Sequence, residues 1–285
     1  MSGSSAAPTY VLWHYTPSLP ANVVVAVVFA VLGMAHAIRL FQKRLRFCIP
    51  LFIGAIFEIV GYGCRVWAHS NLKSTMPYAI QSLLTLLAPI LFAASVYMFL
   101  GRIIRAADGE AASPIRARWL TKTFVCGDIL CFFVQGGGGG ILIGAKTQKT
   151  VNLGEYVILG GLVLQIVIFL FFIAVAVVWH KRMSSLSRTT ANVAIERFDW
   201  QRYIFSLYTV SILIAVRNIV RCIEFDMGSS GYLLSHEWTT LVFDALLMAL
   251  VLAISWFWHG SGIANLQQKQ SFDRQSSDIT LTTKH

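Results

Sequence analysis

Charge is scarce in this chain. Asp, Glu, Lys and Arg make up 13% of its 285 residues, against about 25% in an average soluble domain. A soluble helical protein needs a polar face on each helix, and too few charged residues are present to supply one. The five cysteines, Cys48, Cys64, Cys126, Cys131 and Cys222, fall inside apolar stretches. They imply no disulfide framework and read as small buried apolar residues. Asn-x-Ser/Thr sequons are absent. The segment Met1 to Pro17 has neither a basic residue nor an apolar h-region, so it does not read as a cleaved signal peptide.

What the chain does have is apolar length. Hydrophobic residues are 56% of the total and fall in runs of about 20, the length that crosses a hydrocarbon layer of about 30 Å. The runs predict an all-α, polytopic membrane protein, a seven-transmembrane-helix bundle. The predicted helices cover 20–41, 47–68, 78–103, 119–145, 155–179, 202–224 and 237–260. Residues 1–19 then form an extracellular N-terminal segment, 20–260 the transmembrane domain, and 261–285 a disordered cytoplasmic tail rich in Ser, Thr and Gln. Pro20 and Pro77 sit near helix starts, where a missing N–H costs nothing, and Pro89 is expected to kink the third helix. Trp67, Trp119, Trp179, Trp256 and Trp258 fall near predicted ends, as an aromatic belt requires.

The basic residues orient the bundle. With the N-terminus outside and the C-terminus cytoplasmic, the inner side holds 17 Lys and Arg and the outer side only Lys73, Lys146 and Lys149. That asymmetry obeys the positive-inside rule. It accounts for the net charge of +10 as a collar facing anionic lipid. A nucleic-acid partner is not expected, because no soluble basic domain exists to carry one.

Three arginines are left inside the spans, Arg65, Arg217 and Arg221, with the acids Glu58, Asp128, Glu224, Glu237 and Asp244 and the amides Gln81, Gln135 and Gln165. An ionised group at membrane depth costs about 2.5–3.5 kcal/mol even on the lenient insertion scale, so these must turn toward one another or a polar cavity. Glu58 and Arg65, Asp128 and Gln135, and Glu237 and Asp244 are each seven residues apart, which puts each pair on one helix face. Arg217, Arg221 and Glu224 follow i, i+4, i+7. Four helices are thus expected to present polar stripes to an interior cavity in the outer half of the membrane. The bland reading is a set of buried ion pairs that fix helix register. Arginine also suits a phosphate, sulfonate or carboxylate head.

Gln135-Gly-Gly-Gly-Gly-Gly140 allows close backbone approach or local unwinding beside a cavity. Gly139 to Thr147 reads G-x-x-x-x-G-A-K-T. Its alanine breaks the phosphate-loop spacing, so transport driven by an ATPase module in this chain is not expected.

Several motifs together resemble the fungal RTA-like family of lipid-translocating exporters. They are Glu58-x-x-Gly61-Tyr62-x-x-Arg65, Leu87 to Met98 continuing to Gly101-Arg102, Gly127-Asp128 with Gln135 and its glycines, and Gly160-Gly161-Leu162 with Gln165. Arg217-Asn-Ile-Val-Arg221-x-x-Glu224 and His236-Glu237 before Asp244 complete the pattern. The resemblance implies a seven-helix plasma-membrane protein that handles amphipathic lipids, such as sphingoid long-chain bases or toxic sterol-like compounds, and so confers stress and drug resistance. Glu58, Tyr62, Arg65, Asp128, Gln135, Arg217, Arg221, Glu224, Glu237 and Asp244 are the expected ligand-binding residues. Membrane lipids and a lipid-like small molecule are the expected partners, and association with a second copy is left open. No catalytic residue, cofactor or metal is assigned.

Two alternatives stand beside an exporter. A seven-helix lipid receptor or sensor fits the topology, although the seventh helix lacks a lysine for a retinal Schiff base and the third lacks an acid-Arg-aromatic triplet. An intramembrane metal-dependent lipid hydrolase would use His14, His69 and His236 near the outer surface, but these lack a paired helical spacing. A transporter or sensor is therefore expected ahead of an enzyme.

Overall fold

The computed structural model describes residues 18–43, 46–70, 75–107, 109–145, 147–189, 200–227 and 236–259. Expectations for the first 17 residues, the 261–285 tail, Lys73, Lys146 and His14 fall outside the described residues. Seven helices are long and apolar enough to cross a membrane. They are α1 (Leu19–Lys43), α2 (Ile49–Ser70), α3 (Thr75–Ala106), α4 (Ala117–Ile143), α5 (Gln148–Thr189), α6 (Trp200–Asp226) and α7, which begins at Glu237 and ends at Ser255. No strand occurs among the described residues. In lipid every backbone polar group must be satisfied within the chain, and a helix does this with its own ladder. Large apolar side chains such as Val24, Val31, Phe133, Val167 and Ile212 remain exposed on the outside of the bundle, where acyl chains would meet them.

Each helix packs on its chain neighbours, and α7 closes the bundle against α6 and α1. The helices alternate in direction, so α1, α3, α5 and α7 begin at the upper end, where α2, α4 and α6 finish. The lower end is aromatic. Phe99 stacks on Trp258 at 4.2 Å between ring centres and on Phe47 at 5.8 Å. Phe124 and Phe172 surround Tyr97 at 5.4 and 4.5 Å. Such pairs add packing attraction beyond the area they cover.

Three elements differ from expectation. Trp67, Trp119 and Trp256 are exposed as a belt would have them, but Trp179 and Trp258 are buried. Their indole N–H groups donate to the Gly109 carbonyl and the Ser206 hydroxyl, both at 3.1 Å, so they serve as internal anchors. Helix α5 has 42 residues, well beyond the apolar run 155–179, because helix formation continues past the lipid boundary where no proline stops it. The glycine run stays helical and does not unwind. A Cβ on Gly138 would lie 2.9 Å from the Ile158 nitrogen and 3.0 Å from the Gly154 oxygen, and one on Gly161 would meet Gln135 Cγ at 2.7 Å. Close contact between α4 and α5 therefore requires glycine at both positions, as in other small-residue membrane interfaces. Gly137, Gly139 and Gly140 face open space.

Candidate functional site

The upper half of the bundle holds an ion-pair network built from α6 and α7. Arg217 and Arg221 are one helical turn apart on α6 and reach the same carboxylate. Arg217 Nε donates to Asp244 Oδ1 at 2.7 Å, and Arg221 Nη2 donates to Asp244 Oδ2 at 2.8 Å. Further donors reach other groups: Arg217 Nη2 donates to the Thr85 carbonyl of α3 at 2.6 Å, and Arg221 Nη1 donates to both oxygens of Glu224 at 3.1 and 3.0 Å, whereas Arg221 Nε makes no hydrogen bond. Arg217 is 1% exposed and Asp244 3%. Buried charges persist only when paired and hydrogen-bonded, and each of these is.

Asp244 sits in a π-helical segment, Leu241–Leu246, flanked by α-helical turns Glu237–Thr240 and Leu247–Ser255. A single wide turn inside an α-helix is rare and recurs at functional sites. Its extra residue changes which face the following residues present, and here it accompanies a carboxylate that two arginines share. Alongside lies a small cleft, with room for little more than a water molecule, lined by Arg217, Arg221, Glu224, Thr239, Phe243 and Asp244 among others.

Helix α2 contributes from behind this network. Glu58 and Tyr62, one turn apart, are both fully buried, and Glu58 lies within electrostatic reach of Asp244, Arg217 and Arg221. Neither oxygen of Glu58 and not the hydroxyl of Tyr62 makes a hydrogen bond with the protein. Tyr62 stacks on Phe29 of α1 with centroids 5.9 Å apart. Arg65, another turn up, approaches Glu237 rather than Glu58, with Nη2 to Oε1 at 3.9 Å.

Glu237 also ties α7 to α1. Its two oxygens accept the Ser18 backbone N–H at 3.0 and 2.9 Å, and Oε1 accepts Asn22 Nδ2 at 2.8 Å. A carboxylate here also meets the positive end of the α1 dipole.

Asp128 and Gln135 take part in a separate polar zone on the other side of the bundle. Asp128 Oδ2 accepts the Tyr97 hydroxyl at 2.8 Å, and Gln135 Nε2 donates to Gln165 Oε1 of α5 at 2.8 Å. The four polar stripes thus divide. Glu58, Tyr62, Arg65, Arg217, Arg221, Glu224, Glu237 and Asp244 gather between α1, α2, α6 and α7, whereas Asp128 and Gln135 join α3 and α5. Sequence reasoning did not include Ser18, Asn22 and Thr85, which act through a backbone group or a neutral amide and carry no charge signal. Of the histidines near the upper end, His69 and His236 are described. Among the described residues, no group of three or more His, Cys, Asp or Glu side chains is placed to hold a metal ion.

Comparison with known proteins follows the same lines. The chain is 34% identical to protoporphyrin uptake protein 1 of Saccharomyces cerevisiae, over 85% of this chain and 90% of the relative. It is 32% identical to protein RTM1 of the same yeast, over 93% and 96%. With the yeast sphingoid long-chain base transporter RSB1 it shares 26% identity, over 94% and 76%. No solved structure matches. Residues 51–267 match the RTA1 like protein family, and this seven-helix membrane protein belongs to that family.

Proposed function

We propose that this protein moves a cationic, single-tailed lipid-like amphiphile across the plasma membrane, handling its charged head in the polar site between α1, α2, α6 and α7. The observation that carries the reading is the charge count of that site. Its three arginines are matched by Asp244, Glu224 and Glu237, and Glu58 remains as an acid without a cation. A site with an acid to spare favours a positive head, and the Arg217–Asp244–Arg221 bridge holds the surrounding charges in place. The aromatic lower end and the apolar helix faces supply surfaces for a tail.

Two relatives point in different directions for substrate. The name of one specifies a sphingoid base, an amine; the name of the other specifies protoporphyrin, a dicarboxylate. For a dicarboxylate the arginines would have to release their present partners, and for an amine they would not. The reading takes the N-terminus as outside, on the strength of the Lys and Arg distribution, so the polar site faces the outer leaflet.

The test is movement of a fluorescent long-chain amine between leaflets of proteoliposomes, followed by quenching from outside. The wild type is expected to accelerate it, and addition of an unlabelled long-chain amine, but not of protoporphyrin, to compete. The double variant Arg217→Leu/Asp244→Leu removes the network without stranding either charge and is expected to slow movement at least tenfold, about 1.4 kcal/mol. A folded double variant working at the wild-type rate would show that the network has no part in translocation. Competition by porphyrin alone would assign the substrate to the other class.

A further inference from the structure

Glu58 has no structural employment in the fold. It is fully buried, both of its oxygens lack a hydrogen bond, and every cation near it is already held. Arg217 is shared between Asp244 and the Thr85 carbonyl, and Arg221 between Asp244 and Glu224. Arg65 is drawn to Glu237. Helix α1 carries no acid, and its His36, Arg39 and Lys43 all lie toward the lower end. In α3 the residues near this depth are the neutral Gln81 and Thr85, while Arg102 and Arg105 belong to the last turns. A buried acid kept for helix register would be bonded to something, since an unsatisfied polar group in a dry interior is costly.

We propose that Glu58 and Tyr62 form the subsite for an organic cation, where the cation binds in exchange for a proton. The inference rests on the cationic reading above and adds the residue and the coupling. The charges of the network sum to zero without Glu58, so an ionised Glu58 with no counterion is strongly opposed. As the neutral acid it fits. When an ammonium head arrives, the carboxyl O–H bond breaks, the proton leaves to water, and the carboxylate pairs with the cation. The net charge of the buried site is the same before and after. Tyr62 supplies a free hydroxyl and, with Phe29 stacked behind it, an aromatic face for which alkylammonium groups have affinity. Glu58 itself does not line the cleft formed by Arg217, Arg221 and Asp244. One proton exchanged for one cation is electroneutral, and it lets a proton gradient drive the movement.

The test is calorimetry on the purified full-length protein, with a single-chain alkyltrimethylammonium amphiphile as titrant. That probe is permanently charged and cannot itself carry a proton. Titrations in two buffers of different ionisation enthalpy count the protons released. The wild type is expected to release about one proton per cation bound at neutral pH. Glu58→Gln keeps the shape of the neutral acid, so it is expected to fold, to release none, and to bind at least about tenfold more weakly. Tyr62→Phe is expected to weaken binding while leaving the proton count near one. Binding by the wild type without proton release overturns the exchange and leaves the transport reading standing. Release that persists in Glu58→Gln overturns the assignment to Glu58. Failure of the wild type to bind the probe overturns both the subsite and the cationic reading.

Discussion

Replacing Asp244 by Asn tests the central energetic claim. The substitution keeps an acceptor oxygen near its place and removes one negative charge from between two arginines. Arg221 retains Glu224, whose oxygens lie at 3.0 and 3.1 Å. Arg217 retains only neutral partners, the Thr85 carbonyl at 2.6 Å and the Asn218 side chain at 3.5 Å. One guanidinium, 1% exposed, is therefore left without a counterion. Removing one partner of a buried pair costs about 3–5 kcal/mol, which in a chain of this size lowers the melting temperature by on the order of 10 °C. The assay is thermal unfolding in detergent, with Arg217→Leu/Asp244→Leu measured alongside both single Leu variants. If the pair is as structural as its geometry implies, the double variant loses less than Asp244→Leu alone, because Arg217 is no longer stranded, whereas Arg217→Leu leaves Asp244 its Arg221 partner. Additive losses, or an Asp244→Asn protein as stable as the wild type, would refute the reasoning.

Two further predictions concern the other side of the bundle. Gly138→Ala places a Cβ 2.9 Å from one backbone atom and 3.0 Å from another, so the helices must part, at about 1–3 kcal/mol. Gly139→Ala meets nothing within 4 Å and gains helix propensity of up to about 1 kcal/mol. The two melting temperatures should move in opposite directions, and equal shifts would mean the contact is not tight. Tyr97→Phe deprives Asp128 of its hydrogen-bond donor at 1% exposure, which is expected to cost about 1–3 kcal/mol. An unchanged unfolding midpoint would show that another group satisfies the carboxylate.

The sequence made the seven spans plain because hydrocarbon admits few backbone solutions, and it placed Arg217, Arg221 and Glu224 on one face of α6 because helical spacing is rigid. It could not pair them. Which acid meets which arginine depends on how each helix is rotated and at what depth it crosses its neighbours, and neither is written in the spacing of a single helix. Arg65 shares a face with Glu58 yet is drawn to Glu237 on α7. Asp128 and Gln135 also share a face, but α4 packs on α3 and α5, so that face turns away from the arginines. Trp179 looked like a belt residue because it ends an apolar run, and only the fold shows its indole anchored on Gly109. The π-turn around Asp244 leaves no composition signal at all.

Helix α5 carries a consequence beyond its role in packing. Its apolar run ends at Trp179, and the helix continues through 180–189, a further ten residues or about 15 Å. The electric field of an anionic leaflet fades over about 8 Å at physiological ionic strength. The exposed Lys181 and Arg182 stand within that layer and can be held by lipid headgroups. The end of the helix at Thr189 stands outside it. The last turns of α5 thus form a rigid post that carries the helix end clear of the headgroups.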